Sequence, residues 1–136
     1  MADADFPGLA QIGQIRVPVH DLQRAVAFYR DVLGMRYLFE VPRMAFFDCA
    51  GIRLLLGLPE GEAFDHPSSI LYFKVDDINE TTGALKARGV TITGEPELIA
   101  EMPDHDLWMS SFTDSEDNTH ALMSEVRPPV RRRQAN

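Results

Sequence analysis

One cysteine, Cys49, stands in 136 residues. That excludes an internal disulfide and a metal cage built on several thiolates, and it suits a reducing compartment. Cations are scarce: 13 Lys and Arg face 21 Asp and Glu, a net charge of -8. Nucleic acid and anionic membrane surfaces need clustered positive charge to neutralise their phosphates, so neither is an expected partner. The one basic cluster, Arg127 with Arg131 to Arg133, follows Pro128-Pro129 without apolar periodicity and reads as a flexible tail. No run approaches the ~18 apolar residues of a membrane span. Met1 to Asp5 lacks the basic start and apolar stretch of a secretory signal, so the cytoplasm is the expected location.

What is present suits a soluble globular protein: 45% apolar and 25% charged residues. A chain of this length fits one domain, burying roughly two-thirds of the surface its unfolded form exposes. Within it the sequence repeats itself. Val19-His20-Asp21-Leu22 opens a segment closing at Leu33-Gly34, and Val75-Asp76-Asp77-Ile78 opens another closing at Arg88-Gly89. A repeat of this length implies a duplicated module.

Each copy reads as a strand, a capped helix and further strands. Ile15, Val17 and Val19 alternate with Gln14, Arg16 and Pro18, giving one apolar and one polar face. Asp21 is the expected N-cap; Leu22, Ala25, Val26, Tyr29, Val32 and Leu33 follow at helical spacing until Gly34 stops the helix. Strands are expected over Met35 to Val41, Met44 to Cys49 and Ile52 to Leu58, with turns at Pro42-Arg43 and Ala50-Gly51. After a linker rich in Pro, Gly and acids, Leu71, Phe73 and Val75 alternate with Ile70, Tyr72 and Lys74. Asp77 and Glu80 form a capping box; strands are expected over Val90 to Thr93, Leu107 to Phe112 and Thr119 to Ser124. Gly94 to Asp106, with Pro96 and Pro103, reads as a long polar loop, either a mobile cover over a site or a plain surface connection.

The segments Val19-His20-Asp21-Leu22, Ala27-Phe28-Tyr29-Arg30-Asp31-Val32-Leu33-Gly34-Met35 and Phe112-Thr113-Asp114-Ser115-Glu116-Asp117-Asn118 resemble the vicinal oxygen chelate superfamily. That group includes glyoxalase I, bleomycin-resistance proteins and extradiol dioxygenases. In the last segment Ser115 and Asp117 stand where the family usually has proline and glycine. The resemblance runs from about Ile12 to Val126 and implies an α+β fold. Two tandem βαβββ modules (12–58 and 69–126, linker 59–68) form an open curled mixed sheet around a shared cleft with helices outside. An N-terminal arm, 1–11, and the basic tail, 127–136, flank them. By analogy with the family a homodimer is expected.

The family's chemistry uses four cleft positions, one on the first and one on the last strand of each module. Counting back from the two aspartates places Gln14 and Ile70 there, and matching the closing strands adds Arg53 and Ala121. Zinc, iron, manganese or nickel needs several imidazole, carboxylate or thiolate donors together. An amide, an isoleucine, an arginine cation and an alanine do not supply them. A one-residue shift would bring in His120, a single good donor, with Arg53 still opposing the ion. No metal and no other cofactor is expected.

Gln14 and Arg16, with Tyr72, Lys74 and Arg53, instead suit an anionic or carbonyl-bearing ligand, unless Arg16 and Lys74 are solvated or paired with acids such as Glu40 or Asp48. His120 is either a satisfied core histidine or, if it reaches the cleft, the best general base in the chain. Trp108 and Tyr37, with Phe47 and Met123, are candidates for an apolar wall, and Cys49 reads as a buried inert thiol. The ligand-binding set is Gln14, Arg16, Arg53, Ile70, Tyr72, Trp108, Ala121 and Met123; the catalytic candidates are His120, Tyr72 and Arg53. Two functions follow: a metal-free binder of a small organic molecule, like the bleomycin-resistance branch, or a metal-independent isomerase, lyase or cyclase. A metal-dependent glyoxalase or dioxygenase has least support.

Overall fold

The computed structural model describes residues 6–127; residues 1–5 of the expected arm and the basic tail from 128 lie outside them. In strand β1 (Gln14–Pro18) Val17 and, just beyond it, Val19 are fully buried and Gln14 is exposed, but Pro18, expected on the polar face, is buried as well. Asp21 caps α1 (Leu22–Ala27) by accepting from the Arg24 backbone N–H at 3.2 Å. The helix continues as a π turn, Phe28–Val32, closed by Leu33 N–H donating to Phe28 O at 2.9 Å. Gly34 then ends it at φ 72°. The widened turn was not foreseen. It lies where the helix passes from one core to the next: Ala25, Val26 and Tyr29 are buried in the first module, whereas Phe28 and Leu33 also touch the second.

Strands β2 (Arg36–Val41), β3 (Met44–Cys49) and β4 (Ile52–Gly57) complete the first sheet, ordered β1-β4-β3-β2 with β1 parallel to β4. The linker makes a 3₁₀ turn at Glu62–Phe64. Strand β5 (Tyr72–Lys74) and α2 (Ile78–Ala87), capped by Asp77 through Glu80 N–H, open the second module. Strands β6 (Ile92–Glu101), β7 (Asp106–Thr113) and β8 (Thr119–Val126) follow, and the second sheet is ordered β5-β8-β7-β6. Neither sheet closes.

Most of the expected Gly94 to Asp106 loop is therefore strand. Three register shifts against β7 accommodate residues such as Pro96, which has no N–H to give a ladder. Each sheet packs its helix over its own core. Val17, Val26, Phe47 and Leu56 form the first; Ile78, Leu85, Phe112 and Leu122 form the second.

The modules are joined by a buried polar network. The Tyr29 hydroxyl donates to Asp114 Oδ2 at 2.6 Å, and His120 Nε2 lies 2.9 Å from the same hydroxyl. Because that proton goes to Asp114, His120 must donate from Nε2, which leaves Nδ1 facing the Leu71 N–H at 3.4 Å. This is the neutral tautomer, and burial pushes His120 below its ordinary value of 6.5 against the opposing pull of Asp114. Burial, then the Asp114 carboxylate, holds the Tyr29 phenol above its usual range. Asp114 Oδ1 accepts from Glu116 and Asn118 N–H, both at 2.8 Å, and so holds the turn in which Asp117 takes φ 65°. That φ suits the glycine the family usually places there.

A second histidine pulls the other way. His20 Nε2 lies 2.8 Å from Asp65 and Nδ1 lies 3.5 Å from Glu116, so the Asp65 hydrogen bond and charge raise it above 6.5. The signs differ. The raised His20 contributes stability that is complete below about pH 6.5 and lost as pH rises through its folded value; the lowered His120 costs stability as pH falls below 6.5. Urea midpoints measured across pH 5 to 8 in His20→Gln should lose the first limb and keep the second. An unchanged profile would mean that the His20 pairs carry no weight in solution.

Candidate functional site

Strand registers decide which side chains share the sheet faces turned away from the helices. In the first sheet Gln14 pairs with Arg53, and Arg16 pairs with Leu55, which pairs in turn with Phe46 and so with Phe39. In the second, Tyr72 pairs with Ala121, then Ser111, then Gly94; Lys74 pairs with Met123 and Met109. One face is a row of bulky apolar and cationic side chains. The other has a floor of small residues beside Tyr72, which is 50% exposed.

Equivalent backbone bonds align the repeats. Val19 N–H donates to Gly57 O at 3.0 Å, and Val75 N–H donates to Met123 O at 2.8 Å. The counterpart of Ala121 is therefore Leu55, and that of Arg53 is Thr119, which corrects the expected match of Arg53 with Ala121. Gln14 and Ile70 remain counterparts, but Ile70 precedes β5, and Tyr72 is the register partner of Ala121. On either assignment the closing-strand positions hold Leu and Ala, or Arg and Thr. None is a good donor to a divalent ion. Among the described residues no group of three or more His, Cys, Asp and Glu could hold a metal. The residues present do not fit the family's metal.

Arg16 is half-buried and tightly seated. Its Nη2 donates to Leu58 O at 2.8 Å, its Nε is buried without a partner, and Cζ stands 5.4 Å from the centre of the Phe64 ring. The guanidinium lies across Gly57, where a Cβ would come within 2.7 Å of Nη2. Arg53 is exposed and leans over Phe46, with Cζ 6.0 Å from the ring centre. Among the described residues the ion-paired arginines are Arg30, Arg36 and Arg127, not these two. Lys74 is paired, with Glu125 at 3.4 Å.

Other expected site residues lie elsewhere. His120 is fully buried between the modules, because β8 alternates and Ala121 and Met123 take the opposite face. Its ring is committed to Tyr29 and cannot act as a base in the cleft. Trp108 packs against the second core beneath α2, opposite Ser124, so it is not a cleft wall. Phe47 is core, and Tyr37 lies against it with its hydroxyl donating to Glu40. Cys49 is half-buried and raised by burial, beside a cavity of about 220 Å³ shared with Ile52, Ile70 and Leu71. Phe39, Phe46, Leu55, Gly57 and Phe64 were missed. Period-two parity in Met44-Ala45-Phe46-Phe47 could have found Phe46; nothing local marks Phe64.

The family model described as Glyoxalase/Bleomycin resistance protein/Dioxygenase superfamily matches residues 11–100. The chain belongs to this superfamily. Among solved structures, a glyoxalase/bleomycin resistance protein/dioxygenase superfamily member from Sphaerobacter thermophilus shares 26% identity at a TM-score of 0.74, covering 86% of this chain and 98% of that one. Lactoylglutathione lyase from Agrobacterium tumefaciens shares 21%, with a TM-score of 0.68 and coverage of 86% and 95%. TnmS3, an antibiotic binding protein from Streptomyces sp. CB03234, shares 22%, with a TM-score of 0.70 and coverage of 87% and 98%. A search of curated proteins finds no match. Within the superfamily fold, no helix among the described residues is long and apolar enough to cross a membrane.

Proposed function

We propose that the chain binds a small aromatic or carbonyl-bearing organic molecule without a metal, between sheet faces brought together in a homodimer. The observation that carries this reading is the content of those faces: Gln14, Arg16, Arg53 and Leu55 on one sheet, Tyr72, Ala121 and Met123 on the other, with no set of metal donors among them. Phe39 and Tyr72 are each about half exposed (46% and 50%), so each sheet face offers an aromatic ring to a ligand. The likeness to an antibiotic binding protein agrees with it at the level of fold.

Titrating the purified chain with a panel of aromatic natural products and carbonyl compounds should give saturable binding that neither a chelator nor added zinc, manganese, nickel or iron alters. Binding that requires one of these ions would overturn the metal-free reading, and sedimentation showing only monomer at micromolar concentration would remove the dimer.

The exposed phenol of Tyr72 favours one second reading, a metal-independent isomerase, lyase or cyclase in which Tyr72 moves a proton and Arg53 stabilises a developing oxyanion. Its signature is product formation that disappears in Tyr72→Phe while binding persists.

A further inference from the structure

The small-molecule reading leaves the ligand's charge open. Resting on that reading, we infer that the molecule taken by the first sheet face is an aromatic carboxylate, that Arg16 receives the carboxylate, and that Gly57 is the residue that positions Arg16. The chain carries a net charge of -8, so carboxylates are abundant. A half-buried guanidinium in such a chain would ordinarily recruit one. Arg16 instead has one backbone carbonyl, Leu58 O, and a buried Nε with no partner. Nη1 makes no bond among the described residues and is open to solvent, so an incoming carboxylate would meet the guanidinium there with charge-assisted geometry.

The setting orients the guest. Gly57 lies on the same face as Arg16, opposite Pro18 and Met44, and any side chain there would displace the guanidinium. Phe64, from the linker turn, stands over the other side of the cation. From Arg16 the register row runs through Leu55 to Phe46 and Phe39, whose rings meet edge to face at 4.6 Å. An aromatic body therefore has an apolar track leading away from the cation. Arg53, leaning over Phe46, adds a second positive charge beside that track, with no carboxylate partner among the described residues. Asp48, the nearest carboxylate in register, is turned to Gly51 N–H and to Arg36.

The test compares 2-naphthoate with 2-naphthamide, which share a ring and differ in charge, by calorimetric titration of the full chain. The acid should bind about tenfold or more tightly, the amount expected for a charge-assisted hydrogen bond in place of a neutral one. Arg16→Gln should bring the acid's affinity down to that of the amide and leave the amide unchanged. Gly57→Ala should narrow the ratio in the same direction, and a change in stability alone would not move that ratio. Equal binding of both probes by the wild type, or a ratio that survives Arg16→Gln, overturns the inference and leaves the small-molecule reading standing. Members of the wider panel binding while neither naphthalene probe does would overturn it too. Silence from the whole panel, by contrast, would count against the small-molecule reading itself.

Discussion

Asp114→Ala is expected to lower unfolding free energy by roughly 3–5 kcal/mol, the cost of removing one partner from a buried charged network. The carboxylate accepts from the Tyr29 hydroxyl, from Glu116 and Asn118 N–H, and from Asn118 Nδ2 at 3.1 Å. Alanine leaves the buried Tyr29 hydroxyl and Asn118 N–H without this acceptor, while Asn118 Nδ2 keeps Pro18 O at 3.3 Å. It also frees the turn that keeps Asp117 at φ 65°. Asp114→Asn keeps the shape but replaces one acceptor with an NH₂, so a smaller loss of about 1–3 kcal/mol is expected. Urea unfolding followed by circular dichroism would measure both. In a cycle with Tyr29→Phe the two losses should fall short of additive, since the residues share one bond. Strict additivity, or a loss below about 1 kcal/mol for Asp114→Ala, would mean that the network does not join the modules as described.

The second large effect belongs to Phe112→Ala. The ring is 1% exposed and packs 6.4 Å from Phe73 and 5.9 Å from His120, centre to centre. Truncation should cost about 3–5 kcal/mol through lost burial and the cavity left behind. It should also change the acid limb of the stability profile. Burial is what holds His120 below its ordinary value, so water entering the gap would let that value rise toward 6.5. The gap between folded and unfolded values then shrinks, and stability below pH 6.5 should fall less steeply in the variant than in the wild type. The His120 imidazole resonances, followed by NMR against pH, would report the shift directly. A wild-type titration in a clearly destabilised variant would place the cause of the His120 shift elsewhere.

Much of the architecture depends on near neighbours in the chain, and that part was legible. Asp21 and Asp77 cap helices because a short carboxylate reaches an N–H three residues on, and Gly34 and Gly89 end them because they adopt positive φ. What depends on pairing between distant strands was harder to read. The offset between Arg53 and Ala121 arose because β4 ends on Gly57 while its counterpart in β8 is Met123, so no shared landmark anchors the two strands. The extension of β6 was hidden because bulges break the alternation that marks a strand. His120 was partly decidable, since Ala121 and His120 cannot share a face of one strand, and a cleft position for the first puts the second inside. The crowding of Arg16 against Gly57 and Phe64 joins β1, β4 and the linker, and no single segment contains it.

The irregular β6 has one more result. An outer strand ten residues long, with Leu98 and Ile99 substantially exposed, would ordinarily template the addition of further chains along its unpaired backbone. Three interruptions of its ladder, a proline without a donor and the charges of Glu95, Glu97 and Glu101 blunt that border. Growth of the second sheet by lateral addition of strands along this border is thereby opposed.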